Sequence, residues 1–478
     1  MNKYKFNSSQ IIDKSKIDYE YNFSMTQIKS NNSQIESKRL KKLYMSRPFY
    51  SLKRNIFKRY NNWKFINLFN EYFCFCKGSS CLDIQISKEC KYKYYLYLID
   101  KNHQIYKKTD FLLMDFIFKN YTSADVYPIF ERMINRNISA HYLTEREDIY
   151  EKYCHNNKNC QSVILVNESN YKINGDFLEK YFTLFLKLKH VLTSGGVSTN
   201  FLNNLFYCID YITFILIGHG ILYFKYYLLD VFYGPKSYDK FLVPNSKKII
   251  DYLIKYGFKE ENFLKFNLPR WEKYDLYNKA NNKIGKIKSN SIFVMFTWRE
   301  IKINRTISKY YINNIENLIN NKQLVNSLLS HNLTLYFTLH HRALIYKNKF
   351  KLSRNIKFIY ENDISECLSK TNLLVTDYSS IIFDIIYRKK PYIMFIPDAN
   401  APDIKENYKE FCYNLIKNFT NNDFLFENLF FDINSTVNKI KYYIDNNFKL
   451  DKKLKKFYNE FNFKAGLNIN DLINKLLI

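Results

Sequence analysis

Five short clusters set His, Arg, Ser, Thr or Asp at the ends of apolar runs, where such side chains can act on a ligand. The clearest is Val375-Thr376-Asp377-Tyr378-Ser379-Ser380-Ile381-Ile382-Phe383-Asp384. An apolar run from Asn372 to Val375 stops at small hydroxyl and acidic residues, and an apolar helix from Ile381 to Arg388 follows at once. Lys389-Lys390-Pro391 closes that helix before a second run, Tyr392 to Ile396. The pattern predicts strand, turn, helix, strand. Ser379 and Ser380 then sit at a helix N-terminus, where free N–H groups and hydroxyls hold phosphate, on the sheet edge where open α/β folds bind ligands. A serine cap with no ligand fits this segment equally well.

The other clusters point to the same chemistry. Gly218-His219-Gly220 ends the run from Phe214, with an imidazole suited to general-base work near neutral pH and glycines that leave the backbone open to close approach. A buried, hydrogen-bonded histidine is the plainer reading. Thr297-Trp298-Arg299 ends the run from Ile292, and Arg299 there has the fork geometry to grip a phosphate. His340-His341-Arg342 ends the run from Leu333, with one histidine placed to donate to a diphosphate oxygen. Asn267-Leu268-Pro269-Arg270 forms a rigid turn in which Arg270 reads as structural. There is no Gly-x-Gly-x-x-Gly and no Gly-x-x-x-x-Gly-Lys, so neither a dinucleotide binder nor a P-loop is indicated.

These caps need strands and helices behind them. Strands are predicted at Tyr94 to Ile99, Ser162 to Val166, His190 to Thr193, Phe214 to Ile217 and Phe241 to Val243. Helices are predicted at Leu112 to Phe118, Ile129 to Ile134, Asp176 to Lys187 and Ser246 to Tyr256. After the polar stretch Asn278 to Asn290 the rhythm restarts: strand Ile292 to Phe296, helix Tyr310 to Leu329, strands Leu333 to Thr338 and Lys357 to Tyr360, and helix Ile364 to Ser369. The alternation predicts two consecutive α/β domains with largely parallel sheets and a ligand cleft between them. Leu205 to Tyr233 is interrupted by Asp210, His219, Lys225 and Asp230, so no membrane span of ~18 apolar residues is expected there.

Composition sets outer limits. A chain of 478 residues holds two or three domains, and an aromatic content of 18% supports large cores. The net charge of +28 attracts phosphates of some kind, although the excess of Lys, Asn, Ile, Tyr and Phe is that of an AT-rich genome. No apolar stretch follows Met1, so no secretory signal is expected, and the odd count of nine cysteines predicts reduced thiols. Cys74, Cys76, Cys81 and Cys90 lack zinc-site spacing. Residues 1–37 are polar, without period, and expected to be disordered. Residues 38–64 carry ten Lys or Arg, no acid, and interleaved aromatics from Tyr44 to Trp63. That suits an anionic membrane surface or nucleic acid, or a solvated basic face.

In this order the clusters resemble the CDP-glycerol:poly(glycerophosphate) glycerophosphotransferase family, the teichoic-acid polymerases and primases of GT-B fold. The matching motifs are His219-Gly220, Asn267 to Glu272, Phe296 to Arg299, Leu339 to His341, and Thr376 to Asp384 followed by Lys390-Pro391. The likeness covers about residues 160–400. Four positions depart from the family pattern: Asn267 for Gly, Glu272 for Asp, and Phe296 and His341 for Pro.

The resemblance implies a GT-B-like α/β fold: two doubly wound Rossmann-like domains facing a central cleft, behind a basic, partly disordered N-terminal extension. The expected divisions are a polar N-terminus at 1–37, a basic aromatic segment at 38–90, an acceptor-side domain at 91–277 and a donor-side domain at 278–478. It implies transfer of glycerol phosphate from CDP-glycerol, or a related CDP-alditol, to a lipid-linked or glycan acceptor, with CMP released. His219 would be the general base and His340 would stabilise the diphosphate or the leaving CMP. Thr297, Arg299, Ser379, Ser380 and Asp377 would serve the donor phosphates. Asp384, one helical turn from Ser380, would contact the nucleotide or cap the helix. Arg270, Gly218 and Gly220 would support the site. No metal and no cofactor are expected, and the protein would work in the cytoplasm, peripherally on the anionic inner face of the membrane. Two other readings compete. One is a GT-B glycosyltransferase that uses a nucleotide sugar for capsule or surface polysaccharide. The other, a nucleic-acid binder, rests on charge alone, and the wide scatter of lysines argues against it.

Overall fold

The computed structural model describes residues 102–114, 125–155, 160–166, 180–194, 212–218, 238–284, 290–297, 309–360, 364–399, 428–463 and 468–478, with positions 99 and 177. Residues 1–98, which include the basic segment 38–64 and the Cys74–Cys90 cluster, lie outside it, as do most of Leu205 to Tyr233. Among the described residues, no helix is long and apolar enough to cross a membrane.

Two parallel sheets organise the chain. The first has β1 (Asp110–Met114), β2 (Ala140–Thr144), β3 (Val163–Leu165), β4 (Leu188–Thr193), β5 (Thr213–Leu216), β6 (Lys240–Val243) and β7 (Phe263–Lys265), in the order β3-β2-β1-β4-β5-β6-β7. The second has β8 (Ser291–Phe296), β9 (Thr334–Leu339), β10 (Ile356–Phe358), β11 (Leu373–Thr376), β12 (Tyr392–Phe395) and β13 (Leu429–Phe430), in the order β10-β9-β8-β11-β12-β13. Every pairing within both sheets is parallel. Strand order reverses between β1 and β4 in one sheet and between β8 and β11 in the other, and such reversals open a crevice at the C-terminal strand ends. The central strands β1, β11 and β12 are buried at every position and apolar but for Asp110 and Thr376 at strand ends, as parallel sheets covered on both faces require.

Several expectations change. Leu112 to Phe118 was expected to be helical, but β1 occupies Asp110–Met114 at the centre of the first sheet. A continuous apolar run has no period by which to tell a buried strand from a buried helix. Ile99, expected to end a strand, is helical. The single helix Tyr310 to Leu329 is two helices, Lys309–Ile319 and Lys322–Ser330. Asn321 breaks it by accepting the N–H groups of Gln323 and Leu324 at 3.0 and 3.3 Å. The polar stretch from Asn278 begins inside the helix Trp271–Ile284, which leads from the first domain to the second. Cys154 is disulfide-bonded, against the expectation of reduced thiols, while Cys367 is a free, buried thiol. A cysteine count speaks to compartment; which thiols meet is decided by the fold.

The last two helices leave the second sheet. The helix Ile433–Asp445 packs beside β12 and β13, whereas Lys452–Phe461 and Ile469–Leu477 return to the first domain. Lys248 pairs with Glu460, Arg136 Nη2 donates to Asn474 Oδ1 at 2.7 Å, and the Ile469 N–H donates to Glu272 Oε1 at 3.0 Å. One hydrophobic core therefore runs from the first sheet through these helices to the inner face of the second sheet, and a separate core fills its outer face.

Candidate active site

The second sheet brings three of the predicted clusters to one edge. Phe296 and Leu339 are register partners at the ends of β8 and β9, so Thr297 and His340 are the next residues out of the sheet side by side. Met295 pairs with Thr376 on β11, which places Asp377 at the same edge, at the reversal of strand order. Adjacent strands lie about 4.8 Å apart, so the three residues span roughly two strand spacings.

Asp377 is fully buried, and its carboxylate holds the turn after β8. It accepts the Thr297 N–H at 3.0 Å and the Thr297 hydroxyl at 2.7 Å. Tyr311 fastens the same turn from outside, donating its hydroxyl to the Thr297 carbonyl at 3.0 Å. Thr376 Oγ1 donates to the Met295 carbonyl at 2.5 Å, which ties the two strand ends together. The turn so held leads into Trp298 and Arg299, which lie outside the described residues.

After Asp377 the chain bends through Ser379 and Ser380 into the helix Ile382–Tyr387. Their carbonyls accept the Ile382 and Phe383 N–H groups at 3.2 and 3.1 Å. Ser379 is buried, and its Oγ lies 3.5 Å from the Ile381 nitrogen, at the outer limit of a hydrogen bond. Ser380 is half-buried. The turn thus carries two hydroxyls with capacity to spare, on the same sheet edge as His340 but one strand beyond β8 from it; His340 is half-buried and its carbonyl accepts the Ala343 N–H at 2.7 Å.

In the first domain β5 delivers the chain to Gly218, whose φ of 78° is left-handed and suits glycine. The N–H groups of Ile217 and Gly218 both donate to the Thr193 carbonyl of β4, at 2.8 and 3.4 Å. His219 and Gly220 follow directly and lie outside the described residues.

Asp384 and Arg270 lie together in the interior, between the domains. Arg270 Nε donates to Asp384 Oδ1 at 2.7 Å and Nη2 to Oδ2 at 3.0 Å. Trp271 Nε1 and the Tyr274 hydroxyl add bonds to Oδ1 at 2.9 and 3.1 Å. The other side of the Arg270 guanidinium pairs with Asp125, which also accepts the Arg270 backbone N–H at 3.1 Å. Burial opposes charge here and pushes the Asp125 carboxyl up. It opposes the charge on Arg270 too, but Asp125 and Asp384 outweigh it and hold Arg270 well above its ordinary range. Asp384 is 1% exposed with both oxygens engaged by protein donors, so it anchors the helix behind the serine turn. Asp125, Trp271, Tyr274 and Tyr311 were not singled out from the sequence: Asp125 has no motif around it, and nothing local marks which aromatics will meet a buried carboxylate or a turn carbonyl. Among the described residues no group of His, Cys, Asp and Glu side chains could hold a metal ion.

Comparison with known proteins agrees with this architecture. A family model for CDP-glycerol:poly(glycerophosphate) glycerophosphotransferase matches residues 84–474. The minor teichoic acid biosynthesis protein GgaB of Bacillus subtilis (strain 168) is 25% identical over 255 residues, which is 50% of this chain and 26% of that protein. A teichoic acid poly(glycerol phosphate) polymerase of Bacillus spizizenii is 24% identical over 193 residues, 39% of this chain and 45% of that one. The chain thus aligns with less than half the length of either relative. The structure of the wall teichoic acid polymerase TagF superposes with a TM-score of 0.55 at 16% identity, covering 87% of this chain and 98% of that one. A TagF variant soaked with CDPG superposes at 0.54, with the same coverage and identity. These likenesses establish the fold: two parallel-sheet α/β domains of GT-B type.

Proposed function

The chain belongs to the CDP-glycerol:poly(glycerophosphate) glycerophosphotransferase family, and on that premise we propose that it moves glycerol phosphate, or another alditol phosphate, from a CDP-alditol to a hydroxyl of a lipid-linked or surface-glycan acceptor. The acceptor oxygen attacks the phosphorus that carries the alditol. The bond from that phosphorus to the oxygen of the CMP phosphate breaks, and CMP leaves with the electron pair. His219 takes the acceptor proton. His340, Arg299 and the hydroxyls of Ser379 and Ser380 face the phosphate oxygens and the charge that builds on the leaving group. Thr297 and Asp377 position the loop that carries Arg299. Reaction of this type depends on alignment and positive groups more than on covalent help from the protein.

One observation carries this reading: β9, β8 and β11 set His340, Thr297-Asp377 and the serine turn on a single sheet edge, at the reversal of strand order. The protein works on the cytoplasmic face, where residues 38–64 hold it against anionic lipid and no nucleic acid is bound. Incubation of the purified protein with CDP-glycerol and with CDP-ribitol tests the reaction. CMP released in step with acceptor consumption supports it. Release of UDP from a UDP-sugar, with both CDP-alditols untouched, overturns it.

A further inference from the structure

We propose that Asp125, Arg270 and Asp384 are positioning residues: together they fix the serine turn of the second domain against the first, and the transfer step depends on them while donor capture does not. The inference rests on the reaction proposed above.

The three residues come from three different parts of the fold. Asp125 directly precedes the helix Val126–Asn135 of the first domain. Arg270 directly precedes the helix Trp271–Ile284 that leads between domains. Asp384 lies in the helix Ile382–Tyr387 that the serine turn opens. Arg270 faces Asp384 through two parallel bonds and Asp125 through its side chain and its own N–H. Bonds of this forked kind set an angle as well as a distance. The Trp271 and Tyr274 donors on Asp384 stop the carboxylate from turning about that axis.

Cohesion between the domains does not require this arrangement. Trp271 already stacks on Tyr387 with ring centroids 4.1 Å apart, and Phe463 closes on the edge of Trp271 at 4.9 Å. Two carboxyl groups meet one guanidinium in a dry place, where apolar side chains of similar volume are often as stable or more so. What the ionic arrangement adds is a defined orientation. The proposed reaction needs that, because its base comes from the first domain and its phosphate turn from the second. A displacement of about 1 Å between reacting groups can slow a reaction roughly 100-fold.

The test uses Asp125→Asn and Tyr274→Phe in the full chain, well below their melting temperatures. Asp125→Asn removes a carboxyl oxygen that engages Arg270, at a residue outside the serine turn, and Tyr274→Phe removes one donor from Asp384. Three measurements are compared with the wild type: Kd for CDP-glycerol by calorimetry, kcat for CMP release with acceptor present, and hydrogen exchange at the amides of Ile382 and Phe383. We expect Kd within about threefold, kcat lowered at least tenfold in Asp125→Asn, and faster exchange at both amides. A lower melting temperature with kcat unchanged overturns the inference, because the cluster is then structural only. A weaker Kd that accounts for the whole loss also overturns it. If the wild type releases no CMP from CDP-glycerol, the proposed reaction fails, and exchange alone decides the coupling: acceleration in Asp125→Asn upholds it and an unchanged rate ends it.

Discussion

Asp377 accepts both the backbone N–H and the hydroxyl of Thr297, at 3.0 and 2.7 Å, from a partner 80 residues earlier in the chain. The pair spans the crevice between β8 and β11, so one carboxylate sets the direction in which the chain leaves the sheet towards Arg299. Removing the hydroxyl and removing the carboxylate should therefore differ. Thr297→Val leaves the N–H bond intact and should cost about 1 kcal/mol. Asp377→Ala strands the Thr297 N–H and should cost about 2–3 kcal/mol, with a larger rise in the KM for CDP-glycerol. Urea melts and steady-state kinetics on the two variants measure both effects.

The two histidines should separate kinetically. His219→Ala, which removes the proposed base, should lower kcat by roughly 10²–10⁴-fold with donor Kd little changed. His340→Ala, on the edge of the second sheet where donor binding is proposed, should weaken CDP-glycerol binding as well as slow CMP release. Full activity in either folded variant removes that residue from the mechanism.

Acid should loosen the return of the last helix. His190 Nε2 bonds to the Leu476 carbonyl at 3.0 Å, while burial, reinforced by Lys189, pushes the imidazole down to about 4. With the folded value below the unfolded one, the unfolded chain binds the extra proton between pH 6.5 and 4. Stability is therefore full above that window and falls as pH drops through it, by about 3 kcal/mol at most. Melts from pH 7 to 4 should show the loss, and His190→Gln should flatten the slope by about one proton.

Residues 38–64 should hold the protein to anionic lipid, each cation adding about 1 kcal/mol near the surface. Deletion of 38–64 should shift the protein from vesicles containing phosphatidylglycerol to the supernatant on sedimentation. Unchanged sedimentation refutes this role.

Local chemistry was legible in the sequence, and long-range chemistry was not. The strand, turn, helix and strand around Ser379 could be read because each step is a change of residue class over a few positions. The reversal of strand order at β8 and β11 could not, since register depends on neighbours far away in sequence. β1 was misread for want of a period. Arg270 was legible as structural from its place after Pro269, but its partners Asp125 and Asp384 lie 145 and 114 residues away and carry no shared pattern. Asp384 illustrates the limit: its spacing from Ser380 suggested a nucleotide contact or a cap, while four donors in the fold turn its carboxylate inward.

The helix Ile469–Leu477 completes the domain that begins the fold. A ribosome must therefore translate the entire second domain before the first can close its core. During that interval the nascent polypeptide presents an unfinished apolar face. Apolar surface left exposed in this way is what makes a partly folded chain prone to aggregate.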